Sequence, residues 1–342
     1  MKRPEVSVIM TVYNASRFLR QAVESILGQT LREFEFIIID DGSKDNSVEI
    51  VRSYDDPRVR LVCLPNNVGT AAARNAATQY AEGSFVAVMD ADDISCPTRL
   101  ERQVAFLHDH PNIALLGTSV SVIDEDGRFV RESKAIGSPE DIASRLAEHN
   151  CFAHSSVMLR AGVLRQYRGY RAFKIAHDYD LWVRIVQGHQ VANIAEPLVL
   201  YRLHRGSLSS LNLWVVSVES SLVRYLYQKR LAGEPDELDE VPFAEQQIWL
   251  QQHASLVRGQ SRREYRKRLW LLMHELLGRD LRRQALAVCL RGLRAFPKDE
   301  GYWRFLYYHG TPQPLRRIAH GLANPRRAFA SKWRQCRTAS RR

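Results

Sequence analysis

Three stretches of the sequence, VSVIMTVYNAS (residues 6–16), FEFIIIDDGS (34–43) and FVAVMDADD (85–93), run from an apolar segment directly into a short polar loop. The apolar segments are rich in β-branched residues and bounded by turn-forming residues, as buried strands are. Val59–Leu64 is a further strand of this kind, and helical spacing connects the strands, with Ser16 as the expected N-cap of the first helix. The order βαβαβαβ predicts an α/β fold with a doubly wound, mostly parallel sheet.

Polar loops follow the carboxyl ends of these strands. They read YNAS (13–16), DDGS (40–43), NNVG (66–69) and DADD (90–93). In open α/β sheets, ligands bind at that edge, close to the point where the strand order reverses. The sequence therefore predicts that the four loops meet at one site.

The pattern changes after residue 112. We expect a strand over Ile113–Ile123 with a hairpin turn at 124–127, strands over Ala153–Leu159 and Val191–Leu200, and a helix over Tyr179–Val186. Residues 210–342 have helical periodicity and little strand signal. Within them, Arg283–Phe296 and Glu300–Tyr308 are predicted to form a helix pair.

Composition excludes several classes of protein. With 45% hydrophobic and 25% charged residues, the 342-residue chain has enough apolar side chains to fold. No run approaches the ~18 apolar residues that cross a bilayer, and the N-terminus lacks the features of a signal peptide. Five scattered cysteines without a CxxC pair argue against a zinc site or a disulfide framework and favour a reducing cytosol.

The net charge of +11 is concentrated in the C-terminal part, where residues 205–342 contain 26 Lys and Arg against 12 Asp and Glu. The tail PRRAFASKWRQCRTASRR (325–342) places Phe329 and Trp333 four residues apart among basic residues. Such a tail either is simply solvated or lies on an anionic membrane surface. No nucleic-acid-binding motif accompanies the charge, so nucleic acid is not an expected partner.

The DADD loop is the sharpest chemical feature. Its neighbouring carboxylates repel one another unless a cation binds, and a hard divalent ion such as manganese or magnesium would bridge them to phosphates. The alternative is a solvated acidic loop that caps the helix starting near Pro97. Neither GxxxxGK[ST] nor GxGxxG is present, so the phosphate-binding loops of those motifs are excluded.

Four other residues each allow a functional and a structural interpretation. Asp40 either starts a turn or accepts a hydrogen bond from a base or ribose, and Arg74, alone on an Ala-rich helix, is either a surface residue or a phosphate or base ligand. Asp178 is either a helix N-cap or a general base. His204 is either structural or a metal ligand.

Taken together, the motifs resemble the inverting family 2 glycosyltransferases of the nucleotide-diphospho-sugar transferase (GT-A) fold. The resemblance covers roughly residues 5–205 and includes HSSVMLR (154–160) and AHDYDLWVRI (176–185). It assigns contacts with the nucleotide-sugar to Thr11, Tyr13, Asp40, Arg74 and Asp90. It assigns a divalent metal, manganese or magnesium, to Asp92 and His204, and the role of catalytic base to Asp178. One departure concerns acceptor positioning, because His177 stands where the family has glutamate.

The resemblance implies transfer of one sugar from a nucleotide-diphospho-sugar to a glycan or lipid-linked glycan, as in the synthesis of cell-surface polysaccharide. The processive QxxRW signature is absent. A nucleotide-sugar-binding or assembly module of the same fold is the alternative, and a nucleotidyltransferase is disfavoured because YNASRF is not a Gly-rich loop. We expect a GT-A domain over 1–208, a helical domain over 209–324 and the tail over 325–342. The expected location is the cytoplasm, with peripheral attachment to the cell membrane through the tail.

Overall fold

The computed structural model describes residues 3–204, 206–207, 212–278, 282–306 and 309. The chain divides into two compact units, Met1–Val257 and Arg258–Arg342. The first unit extends past residue 208, where the sequence analysis places the end of the first domain. The predicted basic tail, 325–342, lies outside the described residues.

In the described part of the first unit, nine strands form a single sheet. They are β1 (Val6–Val12), β2 (Phe34–Asp40), β3 (Val59–Cys63), β4 (Phe85–Asp90), β5 (Ile94–Ser95), β6 (Ile113–Ile123), β7 (Phe129–Ser133), β8 (Met158–Arg160) and β9 (Gln190–Arg202). The strand order is β3-β2-β1-β4-β8-β6-β9-β5, and β7 pairs with β6.

Helices connect and cover these strands. They are α1 (Ser16–Leu27), α2 (Ser47–Arg52), α3 (Thr70–Gln79), α4 (Arg99–Asp109), α5 (Pro139–Leu146), α6 (Ala161–Gln166), α7 (His177–Ile185), α8 (Leu213–Leu231) and α9 (Phe243–His253). Short 3-10 turns occur at His154–Ser156 and Glu237–Asp239. The predicted helix 179–186 is thus confirmed as α7, which begins two residues earlier.

The strands β3, β2, β1 and β4 are parallel, as predicted. Beyond β4 the sheet is mixed, because β8 runs antiparallel to both β4 and β6, while β9 is parallel to β6. The hairpin at 124–127 is also confirmed. It joins β6 to β7, and Gly127 adopts a φ of 83° in the turn.

Both faces of β1, β2 and β4 are buried, which explains their almost continuous apolar sequence, whereas the edge strand β3 is partly exposed. On one face Ile9 and Ile37 pack with the alanines of α3. On the other face Val8 and Phe36 pack with Leu19 of α1. The small side chains of α3 bring that helix close to the sheet.

Two local predictions were wrong. Ser16 is the first residue of α1 rather than its N-cap, and the helix start is capped from another loop: the amide of Ser16 donates to Asp45 Oδ2 (3.0 Å) and that of Ala15 to Ser47 Oγ (3.0 Å). The predicted strand 153–159 begins instead with the 3-10 turn His154–Ser156. Its serines are buried, and both the amide and the hydroxyl of Ser156 donate to the carbonyl of Ala153, which closes a turn instead of continuing a strand.

The described part of the second unit is helical and consists of α10 (Arg258–Gly278), α11 (Arg282–Ala295) and α12 (Glu300–Phe305). The predicted helix pair corresponds to α11 and α12, joined by a short turn. Nowhere in the described residues of either unit does a helix combine the length and the hydropathy needed to cross a membrane.

Candidate active site

The carboxyl ends of β1, β2 and β4 lie side by side at one edge of the sheet. Thr11 is in register with Asp90, and Val12 is in register with Asp40. Because β2 and β3 lie on one side of β1 and β4 on the other, the strand order reverses between β1 and β4. This is the position at which α/β sheets bind ligands. The predicted convergence of strand ends is therefore present for Thr11, Asp40 and Asp90.

The loop after β1 is bonded to the loop after β2. The amide of Asn14 donates to Ser43 Oγ (3.0 Å), and Asn14 Oδ1 accepts from the amide of Lys44 (2.8 Å). Asn14 adopts a left-handed φ of 49°, a conformation that asparagine tolerates better than most residues. The two loops thus hold each other in place beside Thr11.

The loop after β2 is bonded in turn to the loop after β3. The Asp41 carboxylate accepts hydrogen bonds from the amides of Val68 (2.7 Å) and Gly69 (3.0 Å). Burial nevertheless raises the pKa of Asp41, against the effect of these two donors. At Gly42, with φ 73°, a Cβ atom would lie 2.9 Å from the backbone carbon of Asn66, so only glycine fits. Asp41 and Gly42 therefore hold the loops after β2 and β3 close together.

Asp40 has a free acceptor within the described structure. Its side chain is buried, and Oδ2 accepts from the amide of Ser43 (3.1 Å), whereas Oδ1 receives no hydrogen bond from a described residue. A buried acceptor without a donor costs about 1–3 kcal/mol. A ligand N–H or O–H would remove that cost. Tyr13 follows Val12, the register partner of Asp40, and the residue is 51% exposed, so its ring is available to stack on a base.

Arg74 is buried and joins the end of β4 to the start of α7. Its guanidinium donates to Asp90 Oδ1 and contacts Nε2 of His177. It also lies 5.9 Å from the ring centroid of Tyr170. The lone arginine of α3 is therefore not a surface residue. It links Asp90 to α7, the helix that carries Asp178, and its contact with a nucleotide-sugar stays a prediction.

Positive charges close to Asp90 keep its carboxyl group ionised. Burial acts to raise the pKa of this carboxyl group, but the charges of Arg74 and His154 outweigh burial and hold the pKa well below its usual range. His154 Nδ1 is 3.6 Å from Asp90 Oδ1, and its Nε2 is 3.2 Å from the Tyr170 hydroxyl oxygen. His154 is a site residue that the sequence reasoning missed, although it begins the HSSVMLR motif.

His177 is a neutral imidazole. Burial and the nearby charge of Arg74 lower its pKa well below the ordinary value of 6.5. The unprotonated Nε2 can therefore accept a hydrogen bond from Arg74. His177, which departs from the family pattern, is thus a buried hydrogen-bond acceptor for Arg74 and is only 5% exposed.

The aspartates of the DADD loop point in different directions. Asp92 is partly exposed, and its Oδ2 is 2.8 Å from His204 Nε2. Asp93 is buried and accepts hydrogen bonds from the amide of Arg202 (2.7 Å) and from Ser155 Oγ. Burial and the charge of Asp92 raise the pKa of Asp93 well above its usual range. Asp93 attaches the loop to β9, whereas Asp92 is partly exposed and pairs with His204, whose side chain is 13% exposed.

Asp178 is the second residue of α7, and both of its oxygens are held. Oδ1 accepts from the amide of Tyr179 (2.7 Å), and Oδ2 accepts from Asn150 Nδ2 (2.8 Å). The side chain is half-buried. Its position fits the geometry of a base at the mouth of a helix.

A carboxylate of α8 fixes the segment that leads into α7. Glu219 accepts hydrogen bonds from the backbone amides of Lys174 (2.9 Å), Ile175 (2.8 Å) and Ala176 (2.9 Å). Burial raises the pKa of Glu219 in spite of these three donors. The sequence offers one sign of this role, because Glu219 is the single charged residue in the otherwise uncharged stretch 213–223.

Tyr201 lies on β9 next to Arg202, whose amide donates to Asp93. Burial, followed by the charges of Asp93 and Asp92, raises the pKa of its phenol, and the charge of Asp178 acts in the same direction. The hydroxyl therefore stays protonated.

The donor set fits a cation that also binds a ligand. Among the described residues, no cluster of three or more His, Cys, Asp and Glu side chains could hold a metal alone. Asp92 and His204 offer one carboxylate and one imidazole. Manganese and magnesium commonly take one or two protein ligands, with phosphate oxygens and water completing the shell. The pair therefore fits such an ion as part of a complex with a diphosphate.

Comparison with known proteins identifies the family. The sequence model described as Glycosyl transferase family 2 matches residues 7–168. The O-antigen biosynthesis glycosyltransferase WbnJ of Escherichia coli is 33% identical over 234 residues, which are 66% of this chain and 90% of WbnJ. The chain belongs to glycosyltransferase family 2. This family 2 enzyme is also 31% identical to the E. coli UDP-Glc:alpha-D-GlcNAc-diphosphoundecaprenol beta-1,3-glucosyltransferase WfgD, over 60% of this chain and 79% of WfgD.

Solved structures share the fold of this family 2 glycosyltransferase. S. aureus TarS in complex with UDP-GlcNAc has a TM-score of 0.54 at 18% identity, covering 76% of this chain and 82% of that chain. The mannosyltransferase PcManGT from Pyrobaculum calidifontis, in complex with GDP-Man and Mn2+, has a TM-score of 0.50 at 18% identity, covering 97% and 84%. The predicted fold class, a GT-A-like α/β sheet followed by a helical region, is confirmed.

Proposed function

We propose that this glycosyltransferase is inverting and metal-dependent, and that it moves one sugar from a nucleotide-diphospho-sugar to a hydroxyl group of a glycan or lipid-linked glycan. The observation that carries the proposal is the link made by Arg74, whose guanidinium donates to Asp90 at the end of β4 and contacts His177, the residue before Asp178. The DADD loop and the start of α7 therefore lie close together, at the edge where α/β sheets bind nucleotides.

The nucleotide would bind over the ends of β1 and β2. The buried Oδ1 of Asp40 would accept a hydrogen bond from the base or ribose, since no described residue supplies one. Tyr13 would stack on the base, and Thr11 lies between Asp40 and Asp90 in the register. Arg74 would hold Asp90 ionised beside the ribose. TarS and PcManGT were solved with UDP-GlcNAc and GDP-Man respectively, which supports a donor of this class.

Asp92 and His204 would hold the divalent ion. When bound, such an ion neutralises the negative charge that grows on a departing diphosphate. The partial exposure of Asp92 supports this assignment, as does the Mn2+ present in the PcManGT complex. The phenol of Tyr201 would add a hydrogen-bond donor to the same region.

Asp178 would act as the general base. The acceptor hydroxyl oxygen forms a bond to the anomeric carbon while the bond from that carbon to the diphosphate oxygen breaks. The hydroxyl proton passes to Asp178, and the nucleoside diphosphate leaves with the bonding electron pair. One displacement from the opposite face inverts the anomeric configuration. Asn150 and the Tyr179 amide, which hold the two carboxylate oxygens, support this role.

The proposed acceptor class follows from the relatives. WbnJ is named for O-antigen biosynthesis, and the name of WfgD gives an acceptor linked to diphosphoundecaprenol. Such an acceptor would place the reaction at a membrane surface, in agreement with the expected peripheral location. The absence of QxxRW favours addition of one sugar per binding event.

Two substitutions test the proposal. With UDP-glucose, UDP-N-acetylglucosamine and GDP-mannose as donors and Mn2+ present, we expect Asp178→Asn to lower transfer or donor hydrolysis by about 10²-fold or more, with nucleotide binding unchanged. Asp92→Ala should also abolish turnover, and should weaken Mn2+-dependent nucleotide binding by about tenfold or more. Calorimetry and nucleotide release measure the two effects.

Asp126→Ala is the matched control, because Asp126 is an exposed aspartate of the hairpin turn. It should bind and turn over like the wild type. Equal Mn2+-dependent binding by wild type and Asp92→Ala would contradict the metal assignment. Binding without turnover by the wild type, with every donor, would favour the alternative function of a nucleotide-sugar-binding module, which the replacement of glutamate by His177 leaves open.

A further inference from the structure

A cavity of about 580 Å³ lies in the described part of the first unit. It is lined by the segment after α6, by α7, by the end of α8 and by the start of α9. The described residues that line it include none of those assigned above to the nucleotide-sugar, the metal or the acceptor proton. Small-molecule sites typically have volumes of about 300–1,000 Å³, so the cavity is large enough to hold a ligand of its own.

The wall of the cavity contains a network of buried ion pairs. Arg171 donates to Asp180 Oδ1 (3.2 Å) and to Asp236 Oδ2 (2.9 Å). Arg184 donates to the other oxygen of Asp180, Oδ2 (2.9 Å). The amide of Leu238 donates to Asp236 Oδ1 (3.1 Å). Every carboxylate oxygen of Asp180 and Asp236 therefore already has a donor.

One donor of this network is left without an acceptor. Arg230, which lines the cavity from the end of α8, donates from Nε to Gln187 Oε1 (2.7 Å) and from Nη1 to Asp236 Oδ2. Its Nη2 is buried and has no acceptor among the described residues. A buried N–H without an acceptor destabilises the folded state. A ligand oxygen in the cavity would supply the acceptor that the protein lacks.

The charges around the cavity balance, so the missing acceptor need not be an anion. The arginines that line it are Arg168, Arg171, Arg184 and Arg230. They are balanced by the carboxylates of Asp180, Asp236, Asp239 and Glu240, two of which line the cavity and two of which bond to its arginines. A negatively charged ligand would find no net positive charge here, whereas a hydroxyl oxygen would bond to Arg230 without adding charge.

The cavity also offers an apolar surface beside these polar groups. Phe243, the first residue of α9, is 39% exposed and lines it together with Leu238, Val241 and Pro242. Tyr167 adds a second aromatic ring. A sugar presents hydroxyl groups, which both donate and accept hydrogen bonds, and C–H groups on the faces of its ring. A saccharide therefore matches the polar and the apolar surface at once.

We propose that this cavity binds a neutral saccharide segment of the glycan acceptor, with Arg230 Nη2 donating to a sugar oxygen and Phe243 packing on a sugar ring. The inference rests on the proposed function for the class of ligand, because a glycan is the proposed acceptor. It gives the chain a second glycan-binding position, which holds the acceptor through residues that take no part in the transfer.

The test is the binding of neutral trisaccharides to the full chain, measured by calorimetry and by saturation-transfer NMR with UDP and Mn2+ present. The probes are cellotriose, mannotriose and N,N′,N″-triacetylchitotriose, which are built from the sugars of the donors named above. We expect at least one of them to bind with a Kd of about 1 mM or lower. Phe243→Ala should weaken this binding by about tenfold, because an aromatic contact is lost.

Arg230→Lys is the second variant, because lysine keeps the charge but has no Nη2 group. It should weaken trisaccharide binding by about tenfold. Both variants should bind UDP with Mn2+ like the wild type. Melting curves of the variants identify any that fail to fold, and Phe243→Ala, at an exposed position, decides the case if Arg230→Lys is unstable.

Phe129→Ala is the matched control, because Phe129 is a 67% exposed phenylalanine of β7 that does not line the cavity. It should bind the trisaccharides like the wild type. Absence of binding by all the probes at about 10 mM overturns the inference, as does binding that Phe243→Ala leaves unchanged. Binding of inorganic phosphate that depends on Arg230, without binding of any trisaccharide, would assign the cavity to anions and also overturn it.

Asp178→Asn separates this inference from the proposed function. That variant should lose turnover and bind the trisaccharide like the wild type. If the wild type transfers sugar but binds none of the trisaccharides, only the role of the cavity fails. If it binds a trisaccharide through Phe243 but turns over no donor, the proposed function fails and the saccharide site stands.

Discussion

The neutral imidazole of His177 leaves the ion pair between Arg74 and Asp90 undisturbed, whereas a glutamate at this position would be a second carboxylate beside Arg74. Arg74 already pairs with Asp90 in a buried setting. A second carboxylate beside Arg74 would compete for the same guanidinium and would add a buried negative charge. A neutral histidine accepts a hydrogen bond and leaves the charge of Arg74 for Asp90. The departure from the family pattern is thus compatible with an intact ion pair.

Burial of this neutral histidine makes stability depend on pH. Below about pH 6.5 the unfolded chain binds a proton at His177, whereas the folded chain, whose pKa is lowered, does not. The free energy of unfolding therefore falls as the pH drops through this range, by up to about 1.4 kcal/mol per pH unit. His177→Gln should remove this slope. Urea unfolding at pH values of about 7.5 and 5.5 measures the difference.

His110→Gln serves as the control for that experiment, because His110 is exposed and rests on Phe106. Its substitution should leave the pH dependence of stability close to that of the wild type. If His177→Gln and the wild type lose stability in parallel as the pH drops, the histidine is not held neutral in the folded state.

At the scale of elements, hydrogen bonds join the loops after β1, β2 and β3 to one another. Gly42 is the position where the backbones of two of these loops approach most closely. Gly42→Ala places a methyl group 2.9 Å from the Asn66 backbone at a left-handed φ. We expect a loss of about 2–4 kcal/mol in the free energy of unfolding, from strain and displacement together, with weaker nucleotide binding. Denaturant titration and calorimetry measure the two quantities.

Gly127→Ala is the matched substitution. Gly127 has a similar φ of 83°, but no heavy atom lies within 4 Å of the added methyl group. It should cost only the conformational strain, about 1–2 kcal/mol, and leave nucleotide binding unchanged. If Gly42→Ala and Gly127→Ala lowered the free energy of unfolding equally, the close contact between the loops at Gly42 would contribute nothing to stability.

The elements that could be predicted from sequence are those with a strong local signal. The strands β1, β2 and β4 and the polar loops after them follow from apolar runs that end abruptly at turn residues. The antiparallel strand β8 and the 3-10 turn before it could not be predicted, because buried serines such as Ser155 are determined by partners more than 60 residues away. Local periodicity carries no information about such bonds.

The same limit applies to the site. Asp92 and Asp178 stand in recognisable motifs, whereas Asn150 and Glu219 act through hydrogen bonds that cross 28 and 43 to 45 residues. The difference between Asp92 and Asp93 also depends on tertiary structure, because it is the Arg202 amide that turns Asp93 inward. The residue types were visible in the sequence, but their partners were not.

At the scale of the whole molecule, α8 belongs with the sheet and not with the C-terminal unit. Glu219 of α8 holds the segment before α7, and the buried Arg171 pairs with Asp180 of α7 and with Asp236 beyond α8. We therefore expect a fragment of residues 1–257 to fold cooperatively and to bind UDP with Mn2+. A fragment of residues 1–208 should not, because Glu219 and Asp236 are missing. Thermal melting and calorimetry test both fragments.

Glu219→Gln in the full chain is the companion experiment, since it keeps the shape of the side chain but weakens three charge-assisted hydrogen bonds. It should lower the melting temperature and reduce turnover more than UDP binding. A stable, nucleotide-binding 1–208 fragment would contradict the assignment of α8 to the first unit.

The bonds made by Glu219 have a consequence for biosynthesis. The proposed base is translated some forty residues before the glutamate that anchors its helix. While the ribosome still covers that later segment, the emerging polypeptide contains strands β1–β9 but lacks the residue that anchors the start of α7. On the proposed function, we expect a nascent chain to become active only after Glu219 has left the ribosome, because the helix that carries Asp178 lacks its anchor until then.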